Sequence, residues 1–213
     1  MTPSFAQAVD PISLHVLDVL DRLSTGRESS PADERLRIVS LIDQAEAQLG
    51  SGREWELAKY AIASWVDEMM LEAAWNGRDW WTNNVLEVEL FNTRLCNEQF
   101  FLKAREAAAL NRRDALEVFY NCVILGFRGL YRDPELAVMF TQAHGLPEDL
   151  TTWTRQAAMS IRVGQDRPAL AGPQREIAGA PPLRAKPRVV WAVLGLVLLI
   201  ASNVIAYKLV FDS

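Results

Sequence analysis

An uncharged run of nineteen residues, Val189 to Tyr207, constrains this chain more than any other stretch. At about 1.5 Å per residue it spans roughly 28 Å as a helix, close to the thickness of a bilayer's hydrocarbon core. A core helix of that length in a globular domain normally shows a polar face, and this run offers only Ser202 and Asn203. It reads as a transmembrane helix, carried on to residues 189–211 by Lys208 snorkelling to the headgroups, with Trp191 and Tyr207 as interfacial anchors.

Arg184, Lys186 and Arg188 precede the run, while Lys208 and Asp212 are the only charges at or beyond its far end. The positive-inside rule therefore places the N-terminal side in the cytoplasm. Only Asp212 and Ser213 follow Phe211, so the expectation is a single-pass, tail-anchored protein inserted late, with nothing folded beyond the membrane. Along the run Ala192, Gly195, Leu199, Ser202 and Ala206 fall within about 80° on one helix face, with Asn203 at its edge. Lipid gives apolar helices little reason to associate, so close packing over small residues and side-chain hydrogen bonds must supply the drive. Gly195, Ser202, Asn203 and Ala206 are accordingly the candidate association residues.

Residues 164–188 hold Pro168, Pro173, Pro181, Pro182 and Pro187 among glycines and read as a tether, spanning roughly 25 Å as a coil and roughly 70 Å extended. Residues 1–163 suffice for one cytosolic domain with its own core. Without residues 181–213 the chain keeps 18 basic and 26 acidic residues, a net charge of −8. That balance argues against nucleic acid as a partner and against a head lying flat on anionic lipid. Cys96 and Cys122, far apart in a cytosolic segment, are expected as reduced thiols.

The fold class expected is all-α: a single helical bundle of about seven or eight helices, plus the C-terminal transmembrane helix. Asp10-Pro11 and Ser30-Pro31 mark two starts, the first helix running to about Leu23 and the second to Gly50. Ser51-Gly52-Arg53-Glu54 has capping-box spacing and opens a helix to about Trp75. That helix is apolar on two faces, one with Trp55, Ala58, Ile62, Trp65 and Met69 and the other with Tyr60, Ser64, Asp67, Leu71 and Trp75, which places it at the centre of the bundle. A turn at Asn76–Asp79 leads to Trp80-Trp81 and a short helix over 84–91. Further helices are expected over 98–110, from Arg113 or Asp114 to just before Gly126, from Asp133-Pro134 to about Ala143, and from Pro147 to about Ile161. No stretch alternates with period two, so no sheet is expected.

His15 and His144 lack neighbours at metal-ligand spacing, and neither a phosphate loop nor a Gly-x-Ser-x-Gly elbow is present. No cofactor, metal or enzymatic activity is expected. The one pairing that suggests acid-base work is Asp67-Glu68, but adjacent helix positions point about 100° apart and cannot share a proton. The pair reads as a carboxylate contact with Arg128 or Arg132, as a cap on a backbone end, or as a recognition surface. Gly126 and Gly129 flank Phe127 and Arg128 where the preceding helix must stop.

Tyr60-Ala61, Trp65-Val66-Asp67-Glu68, Trp75, Trp80-Trp81, Glu98-Gln99-Phe100-Phe101 and Gly126-Phe127-Arg128-Gly129-Leu130-Tyr131-Arg132 together resemble the DotU/IcmH family, the TssL subunits of type VI secretion systems. The Asp-Glu pair and the Gly-Phe-x-Gly-x-Tyr-Arg run are the specific parts, and with the C-terminal anchor they cover nearly the whole chain. The resemblance implies a structural subunit of the bacterial inner membrane. Its partners would be the IcmF-like protein (TssM), through the complex an outer-membrane lipoprotein (TssJ), the cytoplasmic baseplate protein (TssK), and further copies of itself as a homodimer or higher oligomer. It also implies partner-binding or architectural roles for Asp67, Glu68, Trp75, Arg128, Tyr131 and Arg132. Similar proteins commonly carry paired glycines where Cys96-Asn97 stands here. The alternatives are the same family serving a type IVB apparatus, which neighbouring genes for sheath and tube proteins would distinguish, and a tail-anchored regulator unrelated to secretion.

Overall fold

The computed structural model describes residues 1–164. Gly164, expected as the first tether residue, closes the last helix instead, and the rest of the tether, the membrane run and its candidate residues Gly195, Ser202, Asn203 and Ala206 lie outside the described residues. Among those described there is no strand, and no helix is long and apolar enough to cross a membrane. The described residues hold nine α-helices and one 3-10 turn, seven of the helices with eleven residues or more.

The centre is α3, Arg53–Glu72, which buries Trp55, Ala58, Ile62 and Trp65 on one side and Tyr60, Ser64 and Asp67 on the other. Its two-sided burial matches the two apolar faces read from the sequence. Helices α1 (Pro3–Ser24) and α2 (Pro31–Leu49) pair on one flank of it. On the other flank α6 (Cys96–Ala109) and α7 (Asp114–Ile124) pack against it, and α9 (Leu150–Gly164) covers α7 and α6 in turn. Two short helices, α4 (Arg78–Thr82) and α5 (Leu86–Phe91), close the C-terminal end of α3, and α8 (Pro134–His144) rests on the 3-10 turn Gly129–Arg132. An aromatic cluster joins these parts: Phe100 stacks on Phe127 at 3.9 Å, and Phe101 meets Tyr131 at 4.8 Å and Trp153 at 5.3 Å edge to face. Each such side chain, once buried, contributes about 1.5–3 kcal/mol.

Several boundaries differ from the sequence expectation for physical reasons. α1 starts at Pro3, seven or more residues before Asp10-Pro11, and Pro11 lies inside it. Phe5, Ala8 and Val9 extend the buried stripe of Ile12 and Val16 backwards, and Phe5 packs edge-on against Trp55 at 6.4 Å. That burial outweighs the backbone bond lost at an exposed proline. The capping box before α3 does not form: Gly52 is the N-cap, and Glu54 instead accepts the Asp114 N–H at 3.2 Å across the bundle. α3 ends at Glu72 rather than Trp75, because Ala73 turns extended and Trp75 folds back to donate its indole N–H to the Met70 carbonyl at 2.9 Å. Gly77 permits this fold, since a Cβ there would lie 2.4 Å from the Trp75 ring. The expected turn at 76–79 is partly taken up by α4, and α9 begins at Leu150, where the Asp149 carboxylate receives the Thr152 N–H at 2.8 Å. By contrast Ser30 and Asp133 cap α2 and α8 as their sequence signals predict.

Candidate functional site

The last turns of α3 present Asp67 and Glu68 to two different sides of the bundle, as their adjacency on a helix requires. Both are buried, at 2% and 7% exposure, so neither carboxylate offers itself directly to a partner. Asp67 accepts the backbone N–H groups of Leu86 at 2.8 Å and Glu87 at 2.9 Å, and the Trp81 indole N–H at 2.9 Å. It thereby satisfies the unpaired donors at the start of α5 and holds the tryptophan of α4, which the Trp75 ring meets at 6.3 Å. Burial pushes the Asp67 carboxyl up to about 6 although these three N–H bonds pull it down, and the nearby Glu87 charge adds to the rise.

Glu68 makes a second clasp. It accepts the Arg128 N–H at 2.6 Å, the Gly129 N–H at 3.0 Å and the Arg132 guanidinium at 2.8 Å, and Arg132 also pairs with Glu72. The carboxylate caps the first free donors of the 3-10 turn, an arrangement reached only because the backbone there swings through positive φ at Gly126 (+120°) and Gly129 (+50°). A Cβ on Gly129 would stand 2.8 Å from the Phe127 ring and 3.1 Å from the Asn97 carbonyl oxygen, so glycine is required for space as well. Arg128 enters this contact through its backbone alone. Its exposed guanidinium lies 3.3 Å from the carbonyls of Val123 and Phe127 at the end of α7, not on either carboxylate. Tyr131 donates its hydroxyl to the Pro147 carbonyl at 2.7 Å and so ties the 3-10 turn to the loop before α9.

A third buried carboxylate, Glu87, belongs to the same construction and was not singled out from the sequence. It accepts the Tyr60 hydroxyl at 2.8 Å, the Thr93 hydroxyl at 2.7 Å and the Leu95 N–H at 2.9 Å, drawing the 92–95 loop onto α3. Burial and this contact raise the Tyr60 hydroxyl well above its ordinary range, keeping it a donor. The only available signal was an acid at the second position of a short apolar segment. Cys96 and Asn97 form the first turn of α6, with Leu95 as its N-cap. A cleft of about 430 Å³ opens beside the Glu68 clasp, lined by Asn97, Gly129, Arg132, Asp133 and the exposed apolar side chains Leu136 and Met139. No group of three or more His, Cys, Asp or Glu among the described residues could hold a metal ion.

The two segments that carried the family resemblance, Asp67-Glu68 and Gly126–Arg132, thus touch through Glu68. A family model described as type VI secretion system protein DotU matches residues 4–209. The chain belongs to the DotU family. That family is one of type VI secretion system proteins. Among solved structures the chain is similar to the cytoplasmic domain of TssL from Acinetobacter baumannii, with a TM-score of 0.60 and 21% identity over 76% of this chain and 98% of that one. This likeness shows the shared all-helical fold. A comparison with curated proteins finds no match. In this DotU-family chain, Asp67 and Glu68 tie the end of α3 to α5 and to the 3-10 turn, and Glu87 ties the 92–95 loop to α3.

Proposed function

We propose that this DotU-family chain is the inner-membrane subunit that anchors the type VI membrane complex and docks the cytoplasmic baseplate. The observation that carries this reading is the family match over residues 4–209, which runs from the helical head through the apolar run at 189–207. The head faces the cytoplasm, the run crosses the membrane once, and the face bearing Gly195, Ser202, Asn203 and Ala206 packs against a second copy or a helix of the IcmF-like (TssM) protein. The outer-membrane lipoprotein (TssJ) is reached through that protein.

Docking of the baseplate protein (TssK) is assigned to the cleft beside the Glu68 clasp. Its floor exposes Leu136 and Met139, and Arg132 lies on its rim, while Arg128, on the turn that leads into it, is exposed in its own right. Glu68 acts one step back, by fixing the backbone of the turn that presents Arg128 and Arg132, while Asp67 and Trp75 hold α4 and α5 at the end of α3. Met139→Glu should abolish co-purification of the baseplate protein while leaving the chain in the membrane fraction and its melting temperature within a few degrees. Undiminished co-purification would overturn the assignment of this cleft, and accessibility of Asp212 to periplasmic labelling checks the topology independently.

A further inference from the structure

Negative charge is spread unevenly over the head. Helix α9 is the one α-helix among the described residues with no acidic side chain, and it carries Arg155 and Arg162. Its inner face buries Trp153, Ala157 and Ile161. Arg155, Met159, Arg162 and Val163 follow at helical steps of four, three and one on the opposite face, with Met159 at 55% and Val163 at 83% exposure. Asp149, ahead of the first turn, caps Thr152 and lies within electrostatic reach of Arg155.

Beside this face a cleft of about 230 Å³ runs between α9, α6 and the 145–147 loop. Phe101, Leu116, Trp153 and Ala157 give it an apolar lining, Gln156 and Ser160 join it to α9, and no acidic residue among the described ones lines it. Among the described residues its one charged lining residue is Arg105, steadied by donation to the His144 carbonyl at 2.7 Å. Exposed apolar side chains flanked by arginines, next to an apolar cleft that carries a cation, match the chemistry of a bilayer surface rich in anionic phosphate headgroups.

We propose that the outer face of α9, with this adjoining cleft, is a contact surface for anionic phospholipid. The proposal rests on the reading of residues 189–207 as the membrane anchor, a run that begins 25 residues after Gly164. A basic side chain near an anionic surface strengthens binding about fivefold, so Arg105 and Arg162 together supply roughly 25-fold. That is too little to hold a free acidic domain on a membrane. It is enough to bias the pose of one already tethered there, where the effective concentration is of millimolar order. The net charge of −8 opposes a head lying flat, and α9 itself, with two arginines and no carboxylate, adds nothing to that opposition.

The test uses the full chain in vesicles, with Cys96→Ser and a fluorophore on Gln156→Cys, quenched by a nitroxide on the lipid headgroup. Quenching should be roughly twofold or more stronger with phosphatidylglycerol in the bilayer than with phosphatidylcholine alone, and should fall to the neutral level in Arg105→Gln/Arg162→Gln. Loss of the difference in Met159→Ser/Val163→Ser supports the apolar half of the surface. Equal quenching in both lipids, or quenching indifferent to the arginines, overturns the α9 contact alone, provided the chain floats with carbonate-washed neutral vesicles. Failure to float with either lipid overturns the anchor reading and the proposal together.

Discussion

The Gly129 N–H donates to the Glu68 carboxylate at 3.0 Å across a sequence separation of 61 residues. A carboxylate at the end of the central helix thus fixes the backbone of the turn on which Arg128, Tyr131 and Arg132 stand. The energetic weight of this contact differs sharply between its partners. Removing Glu68 strands two backbone donors, whereas removing Arg132, whose side chain is 48% exposed, strands nothing that water cannot reach.

Glu68→Ala should therefore destabilise the head by about 2–6 kcal/mol, since each of the two unsatisfied donors costs about 1–3 kcal/mol. Arg132→Ala should cost less than about 1 kcal/mol, as exposed ion pairs do. Urea unfolding of residues 1–167, followed by far-UV circular dichroism, separates the two. Equal losses would mean that the ion pair, not the cap, holds the turn.

Asp67 makes stability depend on pH in a definite direction. Its carboxyl, held up at about 6 by burial, binds a proton more tightly folded than unfolded, where the ordinary value is 3.8. Protonation therefore favours the fold: this contribution is fully present below 3.8, fades as pH rises through 6, and is absent at pH 7.5. The stability gap between wild type and Asp67→Asn should widen in favour of wild type as pH falls from 7 to 4.5. A gap that stays flat over that window, with an Asp67 carboxyl resonance titrating near 4, would refute it.

Gly129 and Gly145 separate backbone strain from crowding. Both have positive φ, at +50° and +62°, but a Cβ on Gly145 meets nothing within 4 Å, while one on Gly129 meets Phe127 and Asn97. Gly145→Ala should cost the about 1–2 kcal/mol of a left-handed residue. Gly129→Ala should cost more and shift the ring resonances of Phe127 and Phe100, which stack at 3.9 Å. Identical costs with unchanged aromatic shifts would show that the neighbours give way freely.

What the sequence displays and what it hides follow from which atoms make each contact. The two-faced α3 and the caps at Ser30 and Asp133 were legible because side-chain type and periodicity carry them. The pairing of Asp67 or Glu68 with Arg128, Arg132 or a backbone end was open to inference, and Arg132 does meet Glu68 at 2.8 Å, but the backbone partners were not: Arg128 contributes an N–H, which every residue except proline possesses, and its side chain goes elsewhere. Glu87 was overlooked because its donors come from Tyr60, Thr93 and Leu95, brought together only by the fold. Local rules failed where a distant group took over a local role. Glu54 leaves its capping box for the Asp114 N–H, and a Pro3 start buries Phe5 while Pro11 is carried within the helix.

Arg128 offers the clearest separation of architecture from docking. Among the described residues its guanidinium reaches only the carbonyls of Val123 and Phe127, at 3.3 Å each, and the residue is exposed. Because the backbone N–H that meets Glu68 survives any substitution except proline, Arg128→Ala should change stability by less than about 1 kcal/mol. Charge reversal at Arg128 should gain nothing from reversal at Glu68, since the two side chains do not meet and an arginine at position 68 cannot accept the N–H groups of Arg128 and Gly129. A double-mutant cycle on unfolding free energy should accordingly give a coupling near zero for the Arg128 side chain with Glu68, and a larger one for Arg132 with Glu68. If Arg128→Ala then weakens co-purification of the baseplate protein at unchanged stability, the residue works at the docking face. Coupling of about 1 kcal/mol or more between the Arg128 side chain and Glu68 would instead return Arg128 to the internal clasp.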